Sequence, residues 1–314
     1  MGDFMLFLRK AALSAFSIAF LASPALAQEY KWSGFSLYAG GGAAALDTDI
    51  SVIDTSTFSA STECDIVGNQ GNLGASICIP LGPISGTNSN SGRASDNDTS
   101  VLGTVGVGAD YEFARGFLIG VFADIDWSDA ENELDLSQAS SFGPRRIFSS
   151  STKVDANIDY DYSWTVGGRI GILSLNRQAL LYGLGGYTEL HTDGSANITN
   201  IVSGLNNALF GDTLSVGLPS NFSGFTVGAG AEVKLTQSWS LKLEGRYANM
   251  SSETVSYSAS SDTRTFLGFT EFGPGCNGAA DCAAFLRTTT SSKGSFDIDP
   301  DIWSGRVTLN YQFN

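Results

Sequence analysis

The chain has 314 residues, a formal net charge of -15, 37 glycines, 20 phenylalanines, four cysteines and one histidine. So acidic a chain excludes nucleic acid as a partner, because the phosphate backbone is bound through clustered Lys and Arg. Four cysteines without Cys-x-x-Cys spacing and a lone His191 leave no ligand set for zinc, and no cofactor motif stands out.

Arg9 and Lys10 precede the apolar run 11–21, then Pro24 and Ala25-Leu26-Ala27. A basic head, a short greasy stretch and a small-x-small end predict a secretory signal peptide over 1–27, cut before Gln28. The run is too short and too broken by serines for a spanning helix, so any crossing of a membrane must be made by strands.

From Gln28 onward the pattern has period two. In the first strand Phe35, Leu37, Ala39, Gly41, Ala43 and Ala45 alternate with small or polar residues. Residues 46–98 read as a long polar loop. Two strands follow, Val101–Phe113 and Phe117–Trp127, whose three-residue link predicts a hairpin. After a second polar segment, 128–159, come Trp164–Ile172 and Ala179–Leu190. A third, 191–221, leads to Gly224–Leu235 and, through Thr236-Gln237-Ser238, to Trp239–Tyr247. A fourth, 250–300, precedes the last strand, Trp303–Phe313. All seven prolines fall outside these eight strands.

In every strand one parity is bulky and apolar, while the other is Gly, Thr, Ser or charged. A soluble sandwich buries the greasy face; a membrane barrel turns it to lipid and gives the polar face to a lumen. Eight strands of about ten residues, joined alternately by short and long connections, match the second case. The expected fold is an all-β, eight-stranded, antiparallel up-and-down transmembrane barrel spanning 28–314, with four long extracellular loops and both termini in the periplasm. Phe113, Phe117, Trp127, Trp164, Trp239, Tyr247, Tyr311 and Phe313 lie near strand ends, where barrels carry two aromatic girdles.

The inward parity carries Asp110, Glu112, Asp124, Asp126, Arg169, Glu232, Lys234, Lys242, Glu244, Arg246 and Arg306. Charges confined in a narrow lumen need partners. A carboxylate–guanidinium network is therefore expected, centred on Arg169, Glu244 and Arg246 with Glu232 close by, as a polar plug in preference to an ion path. The glycine clusters Gly40–Gly42 and Gly103, Gly106, Gly108 lie inside strands at lumen parity and relieve crowding there; they lack the strand–turn–helix setting of a phosphate cradle. In an exported chain the cysteines are expected to oxidise, as Cys64–Cys78 and Cys276–Cys282, each closing a short local loop. The acidic, hydroxyl-rich loops suggest cation-mediated contact with lipopolysaccharide, or simply a solvated coat.

The chain resembles the small eight-stranded outer-membrane barrels of alphaproteobacteria, a porin-like or opacity-like group that includes haemin-binding surface proteins. The resemblance rests on Trp32-Ser-Gly-Phe35, on Trp164, Arg169 and Gly171, on Leu181-Tyr182 with Gly185-Gly186-Tyr187, and on Thr226 to Glu232. It continues in Trp239-Ser-Leu-Lys-x-Glu244-x-Arg-Tyr247 and Arg306-Val-x-Leu-Asn-Tyr-x-Phe313. It covers all eight strands and none of the loops. It implies outer-membrane lipid and lipopolysaccharide as surroundings, recognition of the last strand by the barrel-insertion machinery, and an extracellular or host ligand. Members usually end on an aromatic residue, whereas here Asn314 follows Phe313; the extra peptidoglycan-binding domain of larger relatives is not expected. A structural, surface-interaction role without catalysis is the leading expectation. The alternatives are a narrow porin or haemin-uptake protein and, more remotely, a lipid A-modifying enzyme, for which His191 is the one candidate base.

Overall fold

A computed structural model describes residues 30–66, 84–114, 116–142, 148–174, 176–203, 209–269 and 282–313. The expected signal peptide, Cys78 and Cys276 lie outside the described residues. The strands are β1 (Gly34–Ile66), β2 (Ile84–Ala114), β3 (Phe117–Ser128), β4 (Glu131–Phe142), β5 (Phe148–Leu173) and β6 (Ala179–Ser203). They continue with β7 (Leu209–Gly217), β8 (Asn221–Lys234), β9 (Trp239–Met250), β10 (Glu253–Phe269) and β11 (Cys282–Phe313).

Eight of them close a ring of antiparallel pairs, β1–β2–β3–β5–β6–β8–β9–β11, with β11 returning to β1. The short links expected at the periplasmic end are present, and Gly116 turns one of them with a φ of 93° that suits glycine. Tyr38 and Tyr182 cross the lumen over glycines: a Cβ at Gly106 would collide with the Tyr38 phenol and one at Gly230 with the Tyr182 phenol. Gly41 shares the outward row of Phe35, Leu37 and Ala39, and Gly103 likewise departs from the expectation. Gly103 faces outward, beneath the Trp127 indole.

The conformation of the long polar segments, which the sequence leaves open, is largely strand among the described residues. β1 alone has 33 residues, roughly three times what a bilayer crossing needs. Above the membrane band the ring divides into two four-stranded sheets, β10–β11–β1–β2 and β4–β5–β6–β7. They face one another across a core that includes Leu46, Ile50, Val52, Leu134, Val154, Ile158, Ile198, Phe296 and Ile298. At its long-strand end the barrel thus carries a β-sandwich, its head.

One residue parity serves both layers because the polarity of each face inverts at a single height. On β1 the inward row passes from Ser36, Tyr38, Gly40 and Gly42 to Leu46, Ile50 and Val52. Its outward row passes from Phe35, Leu37 and Ala39 to Asp47, Asp49 and Ser51. β11 mirrors this: inward from Gln312, Asn310 and Arg306 to Ile302, Ile298 and Phe296, outward from Phe313, Leu309 and Val307 to Asp301, Asp299 and Asp297. Asp47 pairs with Asp301 in the register, which marks where the outward face turns from apolar to wet. Pro300 lies within β11, opposite Thr48, in the gap between the β9 and β10 pairings, where a missing N–H costs no ladder bond.

Candidate functional site

The lumen is built in three layers. At the periplasmic mouth Trp32 is buried against Leu118, Phe122, Leu180, Tyr182 and Leu184. Its indole N–H donates to the Arg177 carbonyl at 2.8 Å, and Lys234 stands 5.0 Å from its ring. Arg177, in the left-handed region at φ 57°, pairs with Glu112 across the mouth.

Above this plug five carboxylates, Asp110, Asp124, Asp126, Glu232 and Glu244, share the lumen with five cations, Arg169, Arg246, Arg306, Lys234 and Lys242. They form two nests. In the lower one Arg169 donates to Asp110 (2.9 Å) and to Glu232 (3.0 Å), and Ser240 and Asn310 complete Glu232. In the upper one Arg246 forks onto Asp124 (3.0 and 2.7 Å) and reaches Glu244. Arg306 donates to Asp126 (2.7 Å), Glu244 (2.9 Å) and Thr104 (3.0 Å). Tyr38 and Tyr182 donate to Asp124 and Glu244, and Lys242 lies 3.4 Å from the Tyr38 ring centroid.

The expected single centre is therefore split. Arg169 pairs with Glu232, apart from Glu244 and Arg246, and Tyr182 links the nests: its ring lies under Arg169 while its hydroxyl holds Glu244. Arg306 and Asp124 are more central than their sequence context suggests. Trp32, Tyr38 and Tyr182 were not picked out by the charge pattern, because their role depends on contacts across the barrel; Trp32 and Arg177 are 145 residues apart. Two cavities among the described lumen residues are small: about 20 Å³ beside Asp126, Thr165 and Arg246, and about 10 Å³ beside Tyr38, Lys242 and Glu244. Each has room for about one water. The third layer is the head core.

Outside, the aromatic residues form two rows. Phe113, Phe117, Trp239, Tyr311 and Phe313 surround the periplasmic end, with Trp239 and Tyr311 4.9 Å apart. Trp127, Trp164 and Tyr247 lie at the other rim, joined by Tyr187 and Trp303; Tyr247 and Trp303 are 4.4 Å apart. Above that rim runs an acidic belt. Asp47 faces Asp301 and Asp49 faces Asp299, while Glu131, Asp159 and Asp193 make one row across three strands. Like charges placed directly opposite oppose pairing. Burial first, then Asp49 and Asp301, holds the Asp47 carboxyl above its ordinary range. Burial, Asp301 and Asp49 act likewise on Asp299, as do burial, Glu131 and Asp193 on Asp159. No group of three or more side chains arranged to hold a metal ion is found among the described residues, so the belt is a field, not a chelate.

An acid whose folded-state pKa is raised destabilises the fold while ionised, and that cost is relieved as pH falls through the raised value. Lowering pH from about 7 to about 5, or adding millimolar Mg²⁺, is thus expected to raise the temperature at which the head becomes protease-sensitive. Asp47→Asn with Asp299→Asn should blunt both effects, and a head indifferent to both treatments would contradict this reading.

His191 sits on the outward face opposite Tyr162, stacked on its ring at 4.3 Å, with Nε2 3.3 Å from Glu189. Cys64 lies opposite Ala284 and Cys282 opposite Ile66, so these two cysteines reach the same end of neighbouring strands.

Among solved structures, the chain is similar to OprG from Pseudomonas aeruginosa at 13% identity, covering 91% of this chain and 99% of that one, with a TM-score of 0.36. It is also similar to Ail, the attachment invasion locus protein of Yersinia pestis, at 12% identity, 77% and 97% coverage and a TM-score of 0.19. The outer membrane protease OmpT from Escherichia coli aligns at 12% identity, 86% and 97% coverage and a TM-score of 0.20. No curated protein matches the chain. The family model for the outer membrane protein beta-barrel domain matches residues 12–273. With a closed eight-stranded ring, an apolar outward band and that match, the chain belongs to the outer-membrane β-barrel family and resides in the outer membrane.

Proposed function

We propose that this protein is a non-conducting, non-enzymatic surface barrel that contributes to envelope integrity and presents its head to the surroundings. The observation that carries this is a lumen filled from end to end, by the Trp32 plug, the two charged nests and the head core. Five acids are balanced in number by five cations, and cavities the size of one water beside them supply no path.

In this reading the outward apolar band and the two aromatic rows hold the barrel in lipid. An apolar groove of about 630 Å³ bordered by Phe35, Val107, Val121 and Phe313 suits a lipid chain. The acidic belt stands at the level of lipopolysaccharide phosphates and meets them through divalent cations. Arg306 to Phe313 serve as the segment read by the insertion machinery, the signal peptide is removed before Gln28, and the cysteines close Cys64–Cys78 and Cys276–Cys282. The head faces an extracellular or host ligand. His191, already engaged by Tyr162 and Glu189, supports neither haemin capture nor catalysis.

Planar-bilayer recording with the purified protein tests this. No current steps above the lipid baseline are expected, and steady single-channel conductance would favour the narrow-porin reading instead.

A further inference from the structure

Where the ring divides, it leaves two seams between the sheets of the head, and they are finished differently. At the β2–β4 seam, side chains cap the strand edge. The Glu131 N–H donates to the Asp98 carboxylate and the Glu133 N–H to Asp96, each at 3.1 Å, while the Gln138 amide donates to the Ser91 carbonyl. At the other seam β7 pairs only with β6 and β10 only with β11; no ladder joins β7 to β10 among the described residues. β10 runs for 17 residues without proline, and its register on β11 stays regular from Glu253 to Phe266. Exposed edges are normally blunted by prolines, bulges or inward charges. Here the outer side of the edge carries Ser256, Ser258 and Ser260, and charge enters only above them, at Asp262, ion-paired to Arg287, and at Arg264.

We propose that this seam is a docking site that takes an extended polypeptide segment of another protein as an added strand, antiparallel to β10. An unpaired edge offers alternating N–H and C=O groups at strand spacing, which an extended polypeptide matches. The rim sets its side-chain pattern. Val255 and Ala259 of β10 are half-buried, and Leu214, Val216 and Leu218 across the seam pack against the head core, so inward positions of the guest are apolar and alternate positions polar. At the membrane end lie Glu253, Asp297 and Asp299, and an antiparallel guest brings its C-terminal end there, so basic residues belong at that end. A second copy is a poor guest: standing in the same membrane, it would set its acidic belt beside this one at equal height.

The proposal rests on the surface-interaction reading above and is tested apart from it. The probe is a synthetic peptide of alternating Val and Thr ending in two lysines, added to full-length protein in detergent. Fluorescence anisotropy reads binding, and hydrogen exchange locates it. Protection confined to β10 and β7, with binding weakened about tenfold or more by Ala259→Lys, an inward charge on the edge, is the expected result. Ser89→Lys on β2 should leave binding unchanged. Boiled and unboiled gel mobility shows that each variant is folded; should Ala259→Lys fail to fold, Ser258→Lys on the exposed outer side replaces it. Absence of binding, protection elsewhere, or indifference to the edge variant would overturn strand addition. A conducting pore would overturn the surface reading itself, and is measured independently.

Discussion

Arg306→Met is expected to lower the stability of the barrel by about 3–5 kcal/mol, the usual consequence of removing one partner from a buried ion pair. The guanidinium is almost wholly buried and donates to Asp126, Glu244 and Thr104. Its loss removes the cation that pairs with Asp126 and strips Glu244 of one of two arginines. Water has little room to substitute in cavities this small. The temperature at which the compact, unboiled species is lost on a gel should fall clearly. Combining Arg306→Met with Asp126→Asn should recover part of the loss, because the orphaned charge is then removed as well. An unchanged transition for the single variant would mean that the nests are solvated and the plug is not solid.

Phe296→Ala is expected to cost about 3–5 kcal/mol, confined to the head. Phe296 is fully buried between the sheets, 5.1 Å from the Tyr257 ring. Tyr257 in turn donates to Asp54 at 2.8 Å, as does Ser292 at 2.5 Å, so three neighbouring strands are tied from their inner face. The head core and the periplasmic plug are separate clusters with the charged nests between them. Local opening should therefore stop at the membrane rim. Protease added to intact cells should clip the variant within the head and leave a protected, heat-modifiable barrel fragment. Loss of the whole barrel in one step would show that the two layers unfold together.

The spanning strands were legible because period two, bulky residues on one parity and tight links coincide in all eight. The head was not. Residues 46–98 are crowded with Asn, Asp and Gly, types that disfavour strands on propensity alone. Pairing with β11 and burial of Leu46, Ile50 and Val52 outweigh that propensity. The inversion is written in the residues, since Asp47 and Asp49 continue the parity of Ala43 and Ala45, but it can be read only once the strand is known to continue. On β5 a register shift between Tyr160 and Tyr162 moves the inward set from even to odd numbers, which breaks the pattern at the rim. The inward charges were legible from parity, but not their partners. Whether Arg169 meets Glu232 or Glu244 depends on the stagger of strands around the ring, which no local pattern carries.

One outward face meets lipid below the acidic belt and water above it. A matched pair of arginine substitutions on neighbouring strands tests this most directly: Val307→Arg at outward mid-barrel and Ile53→Arg at outward mid-head, with folding stability in bilayers as the measurement. Both side chains are exposed on the same outward surface. The account predicts a loss of about 2–4 kcal/mol for Val307→Arg and a change within about 0.5 kcal/mol for Ile53→Arg. Equal, small effects at both positions would place Val307 in water and contradict it.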